Sequence, residues 1–232
     1  MEQINDMIYV WIILYGLTHL CSETISQRHP ALFWLVPSSM LLYTVLLILW
    51  ICRTRQAKNI GLCAPSFPLR TKWLYLLPLV LFPVHNLLTS KGFVPDLSTA
   101  ALMLSVSVVE EIFFRGFLLR YVIRCGKPAG IILTSLLFSL FHIVNLIQGA
   151  PSSYTFLQML WAFAAGLCYC TAAISFDSLI PCITAHFLTN ITAGPPPTQF
   201  YLESTDVWIC GAVYVCWALV HRCILCNSDK EI

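Results

Sequence analysis

The chain has 232 residues, 58% of them hydrophobic and 10% charged, with a net charge of +2. A soluble domain carries roughly 25% charged residues and has no interior that could absorb this much apolar sequence, and a small charge with no basic run interleaved with aromatics excludes a nucleic-acid binder. The apolar stretches are apolar all round and lack the alternation of a spanning barrel, which leaves an all-α polytopic membrane protein.

In chain order the expected spans are residues 6–22, 31–52, 73–89, 98–120, 129–147, 155–175, 181–194 and 206–222. They form one integral membrane domain, 1–232, a bundle of about eight helices. The first is flanked by Glu2 and Asp6 and by no basic residue, so it reads as a retained span and not as a secretory signal. The connection after the second holds Arg53, Arg55, Lys58, Arg70 and Lys72, and its Gly and Pro residues suit a segment lying along the interface. The connection after the fourth holds Arg120, Arg124 and Lys127, and the tail holds Arg222 and Lys230. An even number of spans puts all of these on one side and leaves Arg28 and Lys91 on the other, so both termini are expected to be cytoplasmic. The seventh span is the shortest and ends before Gly194-Pro195-Pro196-Pro197, which suggests a tilted or partly re-entrant helix inside the bundle.

The eleven cysteines lie mostly in apolar segments, as Cys168, Cys170, Cys210 and Cys216 do, and read as buried free thiols. Cys223 and Cys226 make a lone CxxC, a weak metal or redox signal without a second pair.

Ionisable side chains inside spans are functional candidates by default, because an unpaired charge there is expensive. The fourth span carries Glu110 and Glu111, the fifth His142, and the seventh His186 with Asn190. Glu111 and Arg115 are four apart, share a helix face and can pair. Glu110 points about 100° away and is left for other work. Glu111 and His142 each lie roughly 20 Å in from the arginine-bearing ends of antiparallel neighbours, so they reach one level. By the same count His186 lies nearer that end, unless its helix starts deeper in the bundle. A buried carboxylate facing a histidine suits a general base acting on water. His186 and Asn190 stack two donors on one face, which suits an oxyanion. Phe138, four residues before His142, can pack beside that ring. Each motif alone also fits a structural ion pair or an interhelical hydrogen bond. His85, His19 and His29 lack such partners and read as structural, with Asn86 a possible supporting contact.

Glu110-Glu111-Ile-Phe-Phe-Arg115, Phe138-Ser-Leu-Phe-His142 and His186-Phe-Leu-Thr-Asn190 occur in the order EExxxR, FxxxH, HxxxN. This set resembles the CAAX protease and bacteriocin-processing (CPBP, or Abi) family, which includes the Ras-converting CAAX endopeptidase. The motif-bearing core is about 98–195. The resemblance implies an eight-helix intramembrane endopeptidase of the glutamic type that cleaves a membrane-associated peptide or protein. By that resemblance Glu110 and His142 activate water, His186 and Asn190 form the oxyanion hole, and Glu111, Arg115 and Phe138 hold the site in shape. No cofactor is expected. A zinc-dependent variant would use Glu110, His142 and His186 as ligands. The alternative reading is a non-catalytic membrane adaptor or bacteriocin-immunity protein of the same fold. A proton-coupled transporter would show inverted repeats, and none is evident. The expected partners are the lipid bilayer and the substrate, with no nucleic acid. The expected location is a membrane, and the chain's brevity points to the bacterial cell membrane.

Overall fold

The computed structural model describes residues 2–66, 69–89, 95–147, 149–193, 208, 211–212 and 214–216. Among them the chain is helical and forms no strand. The helices are α1 Glu2–Arg28, α2 Leu35–Arg53, α3 Leu69–Thr89, α4 Leu97–Glu111, α5 Leu119–Val122, α6 Lys127–Phe141, α7 Val144–Ile147, α8 Ser152–Phe176 and α9 Ile180–Thr192. A π-helical segment, Ile112–Leu118, joins α4 to α5 without a break. Among the described residues five stretches are long and apolar enough to cross a bilayer: Met7–Arg28, Pro30–Arg53, Leu97–Cys125, Lys127–Ile147 and Ser152–Phe176. The third expected span is helical as α3. The eighth, 206–222, lies largely outside the described residues, and Cys223 and Cys226 lie wholly outside them.

The packing is that of a membrane bundle, with large apolar side chains outside and small or polar ones between helices. Ile13, Leu42, Leu49 and Ile132 are exposed, whereas Ser105, Ser107, Thr134 and Ser135 are buried. Contact between α6 and α8 depends on small residues. A Cβ at Gly166 would lie 2.9 Å from the Ser135 Cβ. Ser139 adds a bond across the same interface, its Oγ donating to the Met159 carbonyl at 2.6 Å. On the other flank α2 buries Met40, Tyr43, Leu47 and Ile51 along one face, at the spacing of a helix stripe. Among the described residues the cysteines are free thiols; Cys168, Cys170 and Cys182 are buried, whereas Cys21, Cys52, Cys125 and Cys216 are exposed, which corrects the expectation that most are buried.

The connection after α2 corrects the expectation of a segment lying along the interface. Ile60 and Gly61 are buried in the bundle. The Gly61 carbonyl accepts the Leu179 N–H at 2.8 Å, the Cys63 carbonyl accepts the Ser178 hydroxyl at 2.6 Å, and Ser66 N–H donates to the Phe176 carbonyl at 3.0 Å. The loop thereby satisfies backbone groups at the turn between α8 and α9, which would otherwise be buried orphans. Gly61 adopts φ +80°, open to glycine without strain. Arg120, beside it, pairs with Asp177 at 2.8 Å. The arginine-rich connections and the 177 turn therefore share one end of the bundle, as the charge pattern requires.

Helix α9 follows directly from this docked turn, with Leu179 buried and Ile180 exposed. With 13 residues it is about 20 Å long, too short for a hydrocarbon core of about 30 Å.

Candidate functional site

The six polar motif residues converge where the end of α4, the π segment, the end of α6 and α9 meet. The π segment begins directly after Glu111, and its defining bond runs from the Leu119 N–H to the Phe114 carbonyl. Such wide turns insert a residue into a helix and often mark functional sites. Here the turn carries Arg115 inward and places Gly116 against the docked loop. A Cβ at Gly116 would meet Leu179 at 3.2 Å and Ile60 at 3.3 Å.

Glu111 and Arg115 are both completely buried and bonded, with Arg115 Nη1 donating to Glu111 Oε1 at 2.9 Å. The same oxygen accepts from His186 Nδ1 at 2.9 Å. One carboxylate thus ties α4 and the π segment to α9. Among the described residues Arg115 Nε and Nη2 have no hydrogen-bond partner. Aromatic faces meet the guanidinium instead: Phe138 lies 4.2 Å and Tyr169 5.3 Å from its central carbon. A planar, delocalised cation suits that slot in a way an ammonium does not.

Phe138 therefore does more than the spacing suggested. Its ring meets His142 edge to face at 5.2 Å and His186 at 6.1 Å. Its carbonyl accepts from His142 Nδ1 at 3.0 Å. A carbonyl only accepts, so Nδ1 carries the proton and Nε2 is the nitrogen open to chemistry. His186 is held likewise, with Nδ1 on Glu111 and Nε2 facing Glu110 Oε2 at 3.8 Å. Both histidines are anchored through Nδ1 and present Nε2.

Glu110 differs from its neighbour. Arg115 leaves it unpaired, and its side chain keeps 11% exposure where that of Glu111 has none. Its other described contact is the Tyr15 hydroxyl, which donates to Oε1 at 3.3 Å. Sequence reasoning missed Tyr15. It lies 95 positions away on α1, and nothing in the pattern of an apolar helix marks one tyrosine above another. Its ring packs against Tyr43, Phe113 and Phe141, which fixes where the hydroxyl points.

Asn190 lies one turn beyond His186 on α9. Its Nδ2 donates to Ser107 Oγ at a long 3.4 Å. Asn86, the possible supporting contact, donates to the Thr189 carbonyl at 3.1 Å. His19 pairs with Glu23 at 3.5 Å, and its ring meets that of Tyr15 edge to face at 6.4 Å.

Among the described residues no group of three His, Cys, Asp or Glu side chains is placed to hold an ion, and Glu111 is committed to Arg115 and His186.

Residues 94–192 match the family model described as type II CAAX prenyl endopeptidase Rce1-like. The match supports the resemblance to the CAAX protease and CPBP family, which is a membrane-embedded protease family. It covers Glu110, Glu111, Arg115, His142, His186 and Asn190 and does not reach Tyr15. No curated protein and no solved structure matches the chain.

Proposed function

We propose that this chain, whose residues 94–192 match a CAAX-protease family model, is an intramembrane endopeptidase using Glu110 as general base. The observation that carries the reading is the division between adjacent carboxylates. Glu111 is locked by Arg115 and His186, whereas Glu110 is left without a cationic ion-pair partner on its own helix and partly open.

In the proposed reaction a water lies between Glu110 and His142 Nε2. Glu110 takes one proton as the water oxygen bonds to the scissile carbonyl carbon, and the carbonyl π pair moves to its oxygen. His186 Nε2 and Asn190 Nδ2 donate to that oxyanion. Donation from Nε2 while Nδ1–H is held by Glu111 requires the doubly protonated ring. The two carboxylates then balance His186 and Arg115, so the cluster is neutral within the membrane. Collapse of the intermediate expels the amine, which receives the proton from Glu110. Among the described residues no serine or cysteine stands in a nucleophile's place, so the attack is direct and no acyl-enzyme forms. The substrate class is a membrane-associated peptide or protein. No metal takes part.

The test is cleavage of a membrane-peptide library, with farnesylated CAAX peptides as one arm, by the purified protein in detergent, with and without a strong chelator. Cleavage that survives chelation is expected. Cleavage lost on chelation and restored by zinc would move Glu110, His142 and His186 into a metal site. If no peptide in any arm is cut, while the protein remains folded, the adaptor reading replaces the peptidase.

Tyr15 is a positioning residue in this scheme. Tyr15→Phe keeps the ring stack and removes the hydroxyl from Glu110. A hydrogen bond to a charged group contributes about 1.5–3 kcal/mol, so kcat is expected to fall roughly 10- to 100-fold, with KM and thermal stability little changed. A loss confined to KM would show that Tyr15 contacts substrate instead.

A further inference from the structure

A second cavity of about 430 Å³ opens at the arginine-rich end, between the first turns of α1, the loop after α2 and the π segment with α5. Its walls fall into two parts. Ile8, Ile12, Phe113, Phe117 and Leu118 make an apolar trough. Arg120, Arg124, Gln56 and Asn59 make a polar end, and among the described residues no carboxylate lines the cavity. Arg124 lies 5.8 Å from the Tyr121 ring and has no ion-pair partner among the described residues. Arg120 bonds Asp177 through Nη2, and its guanidinium has further N–H groups to offer. Tyr9 and Tyr121 line the cavity and are 66% and 64% exposed, as aromatic side chains are where headgroups meet hydrocarbon.

We propose that this cavity binds one anionic phospholipid, its phosphate at Arg124 and Arg120 and an acyl chain along the trough. The charge is complementary, and the apolar wall is continuous with the membrane-facing surface. A basic pocket between spanning helices recognises anionic headgroups in this way. A free anion would leave the trough unused, and a zwitterionic lipid would leave Arg124 without a net counter-charge. Phe113 forms part of the trough and meets Tyr15 at 6.1 Å, so the bound chain rests against the aromatic wall behind Glu110. The proposal does not depend on the peptidase reading, because its test reads binding and not cleavage.

The experiment titrates the delipidated, detergent-purified full chain with phosphatidylglycerol, phosphatidylcholine or inorganic phosphate. Bound lipid is counted by native mass spectrometry and thermal stability is followed in parallel. Phosphatidylglycerol is expected to bind at one site and to raise the melting temperature, and the other two to do neither. Arg124→Glu is expected to weaken phosphatidylglycerol binding about tenfold or more, given about 1 kcal/mol per basic residue near an anionic surface and two charge units changed. Arg53→Glu, on an exposed arginine at the same end but outside the cavity, is expected to leave binding within about twofold. Should reversal perturb folding, Arg124→Gln gives a smaller loss of the same sign. Equal binding of both lipids, or equal losses from Arg124→Glu and Arg53→Glu, would overturn the proposal in favour of unspecific lipid contact or diffuse surface charge. Equal stabilisation by inorganic phosphate would overturn it in favour of a plain anion site.

Discussion

Glu110→Gln is expected to abolish peptide cleavage and leave the fold intact. The amide keeps the size of the carboxylate, and its carbonyl oxygen still accepts from the Tyr15 hydroxyl that lies 3.3 Å from Glu110 Oε1. It cannot take a proton from water. General base catalysis contributes roughly 10²- to 10⁴-fold, which sets the size of the expected loss. Glu111→Gln is the matched control. It removes the charge that faces both Arg115 and His186 at 2.9 Å, so it should cost stability as well as activity. Melting temperatures in detergent, measured beside single-turnover cleavage, separate the two. Equal destabilisation by both changes, with cleavage persisting in folded Glu110→Gln protein, would remove Glu110 from the chemistry.

Arg115→Leu is expected to be the most destabilising single change. Removing one member of a buried ion pair leaves the other uncompensated, at a cost of about 3–5 kcal/mol. The guanidinium is entirely buried, and its flat faces meet Phe138 and Tyr169. Arg115→Lys should therefore recover only part of the loss: an ammonium keeps the charge but cannot fill a planar slot between rings. The double variant Glu111→Gln with Arg115→Leu removes both charges together and should be more stable than Arg115→Leu alone, while remaining inactive because His186 has lost its anchor. Chemical or thermal unfolding of the four proteins gives the coupling directly. Additive losses would mean that the pair is not the unit described.

The site was legible to the extent that burial makes charge conspicuous. In a chain with so few charged residues, Glu110, Glu111, Arg115 and His142 stand out by type, and the four-residue spacing assigned Arg115 to Glu111 and not to Glu110 before any coordinates. The distances agree with that assignment. The joint use of His186 by Glu111 and Glu110 was not legible, because depth counted along a helix assumes that the helix starts at the membrane surface. Helix α9 starts at a turn held by the loop carrying Ile60 and Gly61. That loop reads as interfacial from its Gly, Pro and basic residues, and its pairing with residues 176–179 has no local signature. The π turn after Glu111 is hidden for the same reason: it follows from how Gly116 packs against Ile60 and Leu179, not from any preference of the segment itself.

The sequence by itself determined the class of the molecule and the identity of the polar residues at its centre. Apolar length sets spanning helices, helix periodicity sets which neighbours share a face, and the cost of burying charge singles out the residues that must be paired or used. Only the tertiary structure decided that Tyr15 on α1 donates to Glu110, that Phe138 and Tyr169 enclose Arg115, and that both histidines are fixed through Nδ1. Apart from the His142–Phe138 bond, which spans one helical turn, each of these joins residues distant in the chain through side-chain shape and hydrogen-bond direction. Local periodicity carries no information about those contacts, because they arise only when separate helices pack.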